Sequence, residues 1–434
     1  VAIGNGALSN QNSTDSADMY NVAVGADAGA QVTTGVQNTF IGALSADAIT
    51  EGTKNVAVGY GALTVDTKGS KSTAIGHEAL RNQNLTSATD VFNVAVGFAT
   101  GNAVTTGINN TLIGALAGDA LTDADLNVAV GKGALTTDTL GSNSVAIGFA
   151  ALEAQNLTTA TNTYNVAVGS AAGAGITTGI NNTIVGGLAG DALTDADHNV
   201  AIGQGALTAD TLGSGTVAIG RQALTTQNFE TATDAFNTAV GYVAGLNVTS
   251  GASGVFIGAH SGSVTTTGTN VVNVGSYSRA SGAGINNEIV LGHNSIGKGT
   301  NTAFINPNGG AVYAGNNATA FSQTSDRRIK KNIVDNNVGL EVIKDIRIRN
   351  FNYRTLEEIV DFDNPEAAVV ENTETQLGVI AQEIETVLPE VVTTQSTGVK
   401  TVNTDNFTWH LVNAVQELST KLDAALARIA TLEG

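Results

Sequence analysis

The sequence has no cysteine, only 3 prolines and few aromatic residues. Without cysteine the chain can form neither disulfide bonds nor cysteine-ligated zinc sites. Aromatics make up 5% of the chain while glycine occurs 52 times, a balance that suits short Val, Ile and Ala strands joined by tight turns. No uninterrupted apolar run approaches the length of a bilayer-spanning helix, so we expect no membrane insertion.

Positive charge is also scarce, since the formal net charge at pH 7 is -19. A nucleic-acid-binding protein needs a basic face, and none is recognisable here, so nucleic acid is excluded as a partner. The acidic balance instead indicates a long repetitive surface that its charge keeps soluble.

A five-residue unit repeats along the first two thirds of the chain. Asn55–Gly59 (Asn-Val-Ala-Val-Gly) and Asn199–Gly203 (Asn-Val-Ala-Ile-Gly) are examples. The closing glycines are 17 residues apart, except that the first step and every fourth step after it are 21, which gives a longer period of 72. A fixed step of 17 residues is too short for a helix pair. It indicates one coil of a β-solenoid per repeat, with two short strands in each coil.

The unit also predicts how its side chains are arranged. Val56 and Val58 are two residues apart and therefore lie on one face of a strand, with Ala57 on the other. A second strand of small residues is predicted at Tyr60–Leu63. Since one coil buries few apolar residues by itself, we expect partner chains, which meet on the alanine face. The expected assembly is a homotrimer.

The longer steps add four residues to a coil, as in Arg81–Asp90 and Glu153–Thr163. These additions are predicted to project as loops at every fourth coil, and loops on a rigid scaffold often carry binding functions. An aromatic residue precedes the repeat unit that follows each longer step, at Tyr20, Phe92, Tyr164 and Phe236.

Strands that end in Ala-Ile-Gly or Ala-Val-Gly resemble the YadA-like head of trimeric adhesins. The resemblance covers about residues 1–295. It implies a mainly β fold in which each chain forms a left-handed parallel β-roll and three rolls pack side by side. The 17-residue coil is longer than that family's usual one, so its turn shapes are not carried over.

Three regions are predicted along the chain. Residues 1–300 form the solenoid shaft, and residues 301–324 form a β stub that links the three chains through short strands at Thr302–Ile305 and Ala311–Tyr313. Residues 325–434 form a small α/β domain, in which a strand at Gln376–Ile380 leads into a helix at Ala381–Val387.

The last helix, from Trp409 to Leu432, has apolar residues at alternating spacings of four and three. This heptad pattern predicts a coiled-coil seam that joins the three chains. The alternative is a single amphipathic helix that packs on its own domain. The seam residues are Leu411, Val415, Leu418, Leu422, Ala425, Ile429 and Leu432.

Three motifs of this domain occur in the order known from a second family. They are Ser325–Lys330 (Ser-Asp-Arg-Arg-Ile-Lys), Gly378–Glu385 and Leu388–Val392, followed by the terminal helix. They resemble the endosialidase-type intramolecular chaperone, which trimerises phage tail fibres and spikes and then cuts itself off. The resemblance implies a small α/β chaperone domain that ends in a coiled-coil helix.

By the same resemblance Ser325 is the nucleophile, Lys330 is its general base and the bond between Thr324 and Ser325 is cut. The chemistry is consistent, because a serine hydroxyl attacks well only when a base takes its proton. A lysine can be that base when burial or neighbouring cations, such as Arg327 and Arg328, lower its pKa. The alternative is that Ser325 is a turn residue beside a solvated basic face.

No cofactor and no metal are expected. The five histidines are isolated in the sequence, and the acidic segments Asp119–Asp125 and Asp191–Asp197 read as solvated loops rather than calcium sites.

These observations predict a homotrimeric tail fibre or spike of a virion that attaches to a host surface receptor, either a glycan or an outer-surface protein. A trimeric adhesin on a bacterial surface and a polysaccharide depolymerase are the alternatives.

Overall fold

A computed structural model gives the fold of the chain. It describes residues 1–12, 18–306, 327–363, 365–370, 372–395 and 397–433. The chain divides into two compact units, Val1–Arg279 and Ala280–Gly434.

The first unit is a parallel β-solenoid, as predicted. Each strand of its main ladder pairs in parallel with the strands of the neighbouring coils, so that Ala57 lies opposite both Phe40 and Ala74. The ladder strands are β1 (Ala2–Ile3), β2 (Val22–Val24), β3 (Thr39–Ile41), β4 (Val56–Val58), β6 (Thr73–Ile75), β8 (Val94–Val96), β9 (Thr111–Ile113), β10 (Val128–Val130), β12 (Val145–Ile147), β14 (Val166–Val168), β15 (Thr183–Val185), β16 (Val200–Ile202), β18 (Val217–Ile219), β20 (Thr238–Val240), β21 (Val255–Ile257) and β22 (Val272–Val274).

The longer coils add short strands that pair in parallel beside this ladder. They are β5 (Gly69–Ser70) with β7 (Thr89–Asp90), β11 (Gly141–Ser142) with β13 (Thr161–Asn162), and β17 (Gly213–Ser214) with β19 (Thr233–Asp234). The predicted loops are therefore anchored to the preceding coil by backbone hydrogen bonds.

The alanine face of the strands points into the coil, which corrects the expectation that chains meet on it. Ala57, Ala74 and Ala129 are fully buried within the single chain. The flanking residues of the same strands, such as Val56 and Val58, are half-buried and face outward. The buried middle residue of each strand, whether alanine or a larger residue such as Phe40 or Leu112, points inward, and the flanking Val, Thr and Ile residues form the outer face of the ladder.

The predicted second strand at Tyr60–Leu63 is also wrong, because these residues form turns. Gly61 and Leu63 have φ values of 61° and 56°, which a β-strand does not contain. Their backbone groups still bond to the neighbouring coils: Gly61 N–H donates to Ala43 O at 3.1 Å, and Leu63 N–H donates to Ala79 O at 3.0 Å.

Inside the solenoid, large side chains are accommodated by small residues on the same or the neighbouring coil. When the strand supplies Ala57, the turn supplies the buried Leu63. When the strand supplies the larger Leu112, the turn supplies Gly118, where a Cβ would lie 2.8 Å from the Leu112 side chain. Phe40, Leu112, Ile184 and Phe256 recur at this strand position every 72 residues, so the long sequence period also exists in the core.

A buried ladder of asparagines runs just before the strands. Asn110 N–H donates to Asn93 Oδ1 at 2.8 Å, and Asn110 Oδ1 accepts the N–H of Asn127 at 2.9 Å. The Asn110 amide nitrogen also donates to Ala124 O at 2.8 Å. Each such side chain therefore satisfies two backbone groups, a carbonyl and the N–H of the next asparagine, and buried polar groups need such partners.

At the longer coils a residue with a hydroxyl group takes the place of the ladder asparagine, as Ser72 does in the first of them with a described cluster. The buried Gln83 then donates to Asp66 Oδ2 at 2.6 Å and to Ser72 Oγ at 3.0 Å, and accepts from Asn93 at 2.9 Å. Asp66 is fully buried and also accepts the N–H of Gly69 at 3.0 Å. The same cluster recurs 72 and 144 residues later, around Asp138 and Asp210.

The second unit begins with two more parallel strands, β23 (Ile289–Leu291) and β24 (Ala303–Ile305). Its remaining strands are β25 (Arg349–Phe351), β26 (Gln376–Gly378), β27 (Val392–Thr394) and β28 (Lys400–Val402), and its helices are α1 (Leu340–Asp345), α2 (Pro365–Ala368), α3 (Ala381–Glu385) and α4 (Asp405–Glu433). Single 3-10 turns lie at Arg327–Ile329, Leu356–Glu358 and Pro389–Val391.

The predicted strand at Thr302–Ile305 corresponds to β24, which pairs with β23 in the same chain. The predicted strand at Ala311–Tyr313 lies outside the described residues. Among the helices that the structure describes, none is long and apolar enough to cross a bilayer.

The asparagine ladder leads to a first prediction. Asn110→Ala should lower the free energy of unfolding by about 2 kcal/mol or more, because Asn127 N–H and Ala124 C=O would remain buried without partners. Thermal unfolding followed by circular dichroism measures this. Gln204→Ala, which removes an exposed amide, is the control, and equal melting temperatures for the two variants would contradict the role of the ladder.

Candidate functional site

The basic segment that was predicted to be catalytic is only partly described. Arg327–Ile329 forms a single 3-10 turn, and the Lys330 N–H donates to Arg327 O at 3.2 Å. The side chains of Arg327, Arg328 and Lys330 are exposed. Thr324 and Ser325 lie outside the described residues, so the pairing of Ser325 with Lys330 remains a prediction.

The other two motifs meet in one hydrophobic core. Ile384 on α3, Leu388 and Val391 are almost completely buried. Seven partly buried residues from distant parts of the domain pack against these three side chains. They are Val342, Ile346, Val379, Val387, Val392, Val402 and Phe407.

The charged residues of the second motif hold neighbouring elements in place. The Arg349 guanidinium on β25 makes two hydrogen bonds to the Glu383 carboxylate on α3, at 2.7 and 3.1 Å. This pairing raises the pKa of Arg349 and lowers the pKa of Glu383. Glu385 accepts a hydrogen bond from Lys400 on β28. Both carboxylates are thus part of the architecture, and no reaction needs to be assigned to them.

The first turns of α4 are docked on the segment before α1. His410 Nδ1 lies 3.0 Å from Val338 O, and Asn413 donates to Asn336 O at 2.7 Å. The Leu340 N–H donates to Glu417 at 3.1 Å. Gly339 allows this close approach, because a Cβ there would lie 2.8 Å from the backbone nitrogen of Ala414.

Beyond this contact, α4 presents an apolar stripe to solvent. Ala414, on the docked face, is 4% exposed, whereas Leu418 and Leu422 are 54% and 57% exposed. All seven residues of the predicted seam are exposed in the single chain: Leu411, Val415, Leu418, Leu422, Ala425, Ile429 and Leu432. The helix therefore docks on its domain by one face and leaves the heptad face uncovered by the described residues.

The stripe continues into an apolar hollow at the base of the helix. The hollow has a volume of about 290 Å³ and is lined by Ile343, Ile346, Ile348, Phe407, Thr408 and Leu411. Leu411 belongs to both the hollow and the seam, so the two form one continuous apolar surface.

The acidic segments of the shaft are held by the neighbouring coils. Asp123 accepts a hydrogen bond from Thr106 at 2.5 Å, Asp125 accepts the Ile108 N–H at 2.7 Å, and Asp119 accepts one from Thr136. Within the described part of the chain, no group of three or more His, Cys, Asp or Glu residues is arranged to hold a metal ion.

Sequence reasoning missed the partners of these motif residues. Arg349 and Glu383 are 34 residues apart, and the local pattern around each only says that it is charged. Gly339 was missed for the same reason, since its requirement comes from the helix that packs against it.

The Arg349–Glu383 pair predicts a pH dependence. A carboxylate whose pKa is lower in the folded state stabilises the fold above its unfolded pKa of about 4.3, and this stabilisation is lost as the pH falls through the folded pKa. The melting temperature of Glu383→Gln should therefore be below that of the parent at pH 7, and the gap should narrow towards pH 3. Trp409, the only tryptophan, reports unfolding of this domain by its fluorescence.

Glu357→Gln is the matched control for this experiment, because Glu357 is an exposed carboxylate of the same domain. A gap between Glu383→Gln and the parent that stays constant with pH would show that the ion pair does not stabilise the fold.

Comparison with known proteins now adds to this geometry. Residues 325–393 match the family described as chaperone of endosialidase. The chain is also 35% identical over 156 residues to the long tail fiber protein Gp37 of Enterobacteria phage K3, a match that covers 32% of this chain and 12% of that protein. This chain thus aligns with only about an eighth of its curated relative. No solved structure matches it.

The matched family segment begins at Ser325 and includes the buried core of Ile384, Leu388 and Val391 together with the Arg349–Glu383 pair. The tail fibre similarity and the parallel solenoid agree with the resemblance and the fold class that the sequence predicts. Residues 325–393 are therefore similar to the chaperone-of-endosialidase family, within a β-solenoid chain that is similar to a phage long tail fibre.

Proposed function

We propose that this chain is a homotrimeric tail fibre of a virion, that it attaches to the host cell surface, and that its C-terminal domain trimerises the fibre and then cuts itself off before Ser325. The observation that carries the proposal is the uncovered heptad face of α4 in a domain of the chaperone family. The tail fibre relative supports placing the trimer in a virion.

Burial on the helix supports the trimer. An apolar stripe exposed along a helix of 29 residues marks a surface that another protein chain covers. Parallel partner helices would bury Leu418 and Leu422 against their equivalents in a coiled coil. The hollow beside Leu411 would be covered by the same assembly, since it continues the seam.

The shaft offers a second surface for the same assembly. The outer face of its main ladder carries a half-buried Val or Thr and a Val or Ile in coil after coil. Ile41, Ile75 and Ile113 on this face are 41%, 37% and 40% exposed. Three chains that pack on this Val/Ile face, rather than on the alanine face, would remove it from water.

Self-cleavage is the remaining part of the proposal. Lys330 would take the proton from the Ser325 hydroxyl, and the hydroxyl oxygen would attack the carbonyl carbon of Thr324. The bond between the Thr324 carbonyl carbon and the Ser325 nitrogen would then break, and the Lys330 ammonium would return the proton to that nitrogen, which becomes a free amine. Water would then hydrolyse the resulting ester, which releases Thr324 as a carboxylic acid and leaves residue 325 as a new amino terminus. The exposed position of Lys330 in the single chain suits a reaction that is completed only when partner chains enclose the segment.

Cleavage is tested by the intact mass of the denatured chain. The parent protein should give two masses, those of residues 1–324 and 325–434. Ser325→Ala and Lys330→Ala should each give one full-length mass. Lys331→Ala, which changes the neighbouring lysine, is the control and should still be cut. A parent protein that remains full length would refute the cleavage and leave the domain as a retained trimerisation cap.

Trimerisation is tested by placing charges on the seam. The double variant Leu418→Glu, Leu422→Glu should yield insoluble chains, because like charges at adjacent seam positions prevent the helices from associating. Ala424→Glu with Ala427→Glu, on the outer side of the heptad, is the control and should remain a soluble trimer. Light scattering on the soluble fraction gives the mass; a soluble, folded monomer of the seam variant would contradict a seam that drives assembly.

A further inference from the structure

The shaft carries a regular row of exposed aromatic residues, one at every fourth coil. We define this aromatic row as Tyr20, Phe92, Tyr164 and Phe236, which are 68%, 50%, 56% and 60% exposed. Consecutive members are 72 residues apart. Four coils at about 4.8 Å each separate them by about 19 Å, so the rings do not stack on one another. In contrast, Tyr60, His77 and Phe98 lie on successive coils and do stack, at 5.3 and 5.4 Å.

The fold does not require an aromatic residue at this position. Each member of the row immediately precedes a buried ladder asparagine and has a left-handed backbone conformation, for example φ 55° at Phe92. On coils without the extra four residues, the same position and conformation are taken by Gln37, Asn109 and Leu126. Because a glutamine, an asparagine and a leucine all serve there, packing of the solenoid cannot explain why the longer coils carry aromatics.

Phe92 and Phe236 lie against residues of the preceding coil. The Lys71 ammonium lies 4.9 Å from the centre of the Phe92 ring. At the equivalent place two long periods later, a Cβ on Gly215 would come within 2.9 Å of the Phe236 ring. These contacts hold the rings in place, while at least half of each aromatic residue remains open to solvent.

Polar residues flank each aromatic residue along the chain and on the following coil. The residue two positions before the aromatic is Asp18, Asp90, Asn162 or Asp234. The following coil places an amide or hydroxyl beside the ring, at Gln37, Asn109, Asn181 or Ser253. Backbone bonds set this neighbourhood: the Asn109 N–H donates to Val91 O at 2.8 Å, which aligns Asn109 with Phe92.

We propose that the aromatic row forms four equivalent binding sites per chain for uncharged sugar units of a surface glycan. An aromatic face attracts the weakly positive C–H groups of a sugar ring, and adjacent carboxylates and amides can accept and donate hydrogen bonds to its hydroxyls. The acidic net charge of -19 disfavours an anionic glycan. This inference rests on the proposed role in attachment and names the surface that performs it.

Repetition gives weak sites a strong combined effect. Once one site holds a long glycan, neighbouring sites on the same rigid shaft bind the same molecule at high effective concentration, and the gain can reach about 10²–10⁴ in affinity. Loss of one site should therefore weaken binding only a few-fold, whereas loss of all four should weaken it at least about 100-fold.

The test compares the full-length protein with the quadruple variant Tyr20→Ala, Phe92→Ala, Tyr164→Ala and Phe236→Ala. Alanine already occupies left-handed positions in this shaft, at Ala99 and Ala171, so the variant should keep its fold. Leu126→Ala is the matched control, because Leu126 is 53% exposed and precedes Asn127 as Phe92 precedes Asn93. Fluorescently labelled protein is titrated onto a panel of enterobacterial cells.

The same cells are also treated with periodate, which destroys sugar diols, or with a protease. We expect parent binding that periodate abolishes and protease spares, an unchanged Leu126→Ala, and at least about a 100-fold loss for the quadruple variant. A quadruple variant that binds like the parent would overturn the row as the site while leaving attachment intact.

Three further results would also decide the question. Binding that survives periodate but not protease would identify a protein receptor and refute the glycan sites. A quadruple variant that loses its oligomeric state, as measured by light scattering, would assign the aromatics to contacts between chains instead. Parent protein that binds no cell of the panel would refute the proposed attachment itself, together with the inference that rests on it.

Discussion

Everything in the shaft depends on hydrogen bonding between coils that lie very close together. The glycine that closes each strand shows how close: a Cβ on Gly59 would lie 2.3 Å from the carbonyl oxygen of Gly76, and φ there is 137°. Only glycine combines that backbone conformation with that approach. The asparagine ladder then satisfies the backbone groups just before the strands, where they are buried.

The longer coils show how a regular scaffold accommodates inserted residues. Adding four residues would leave polar groups unpaired, and the buried cluster of Asp66, Ser72, Gln83 and Asn93 provides their partners. The insertion is therefore stable at every fourth coil, and an exposed aromatic follows it each time. The buried polar cluster that accommodates each insertion thus determines the spacing of the exposed aromatic residues.

The C-terminal domain is organised differently, because its contacts are non-local. A small core around Ile384 and the Arg349–Glu383 pair bring together elements far apart in sequence. This compact body holds the first turns of α4 and directs the rest of the helix away with its apolar face uncovered. The shaft has many local contacts but a limited core, so a separate domain that aligns the chains would assist its assembly.

The sequence by itself determined the features that repeat or follow a local period. The 17-residue step determined the solenoid, the heptad spacing determined which residues of α4 lie on one face, and the motifs from Ser325 to Val392 identified the family of the terminal domain. Only the tertiary structure decided which face of each strand points inward and which residues form turns. Ala57 faces inward, in a coil whose interior also holds the buried Leu63, and Tyr60–Leu63 is a turn because Gly61 and Leu63 take left-handed conformations. Alternation shows that two faces differ, but the space enclosed by the folded coil decides which face is inside.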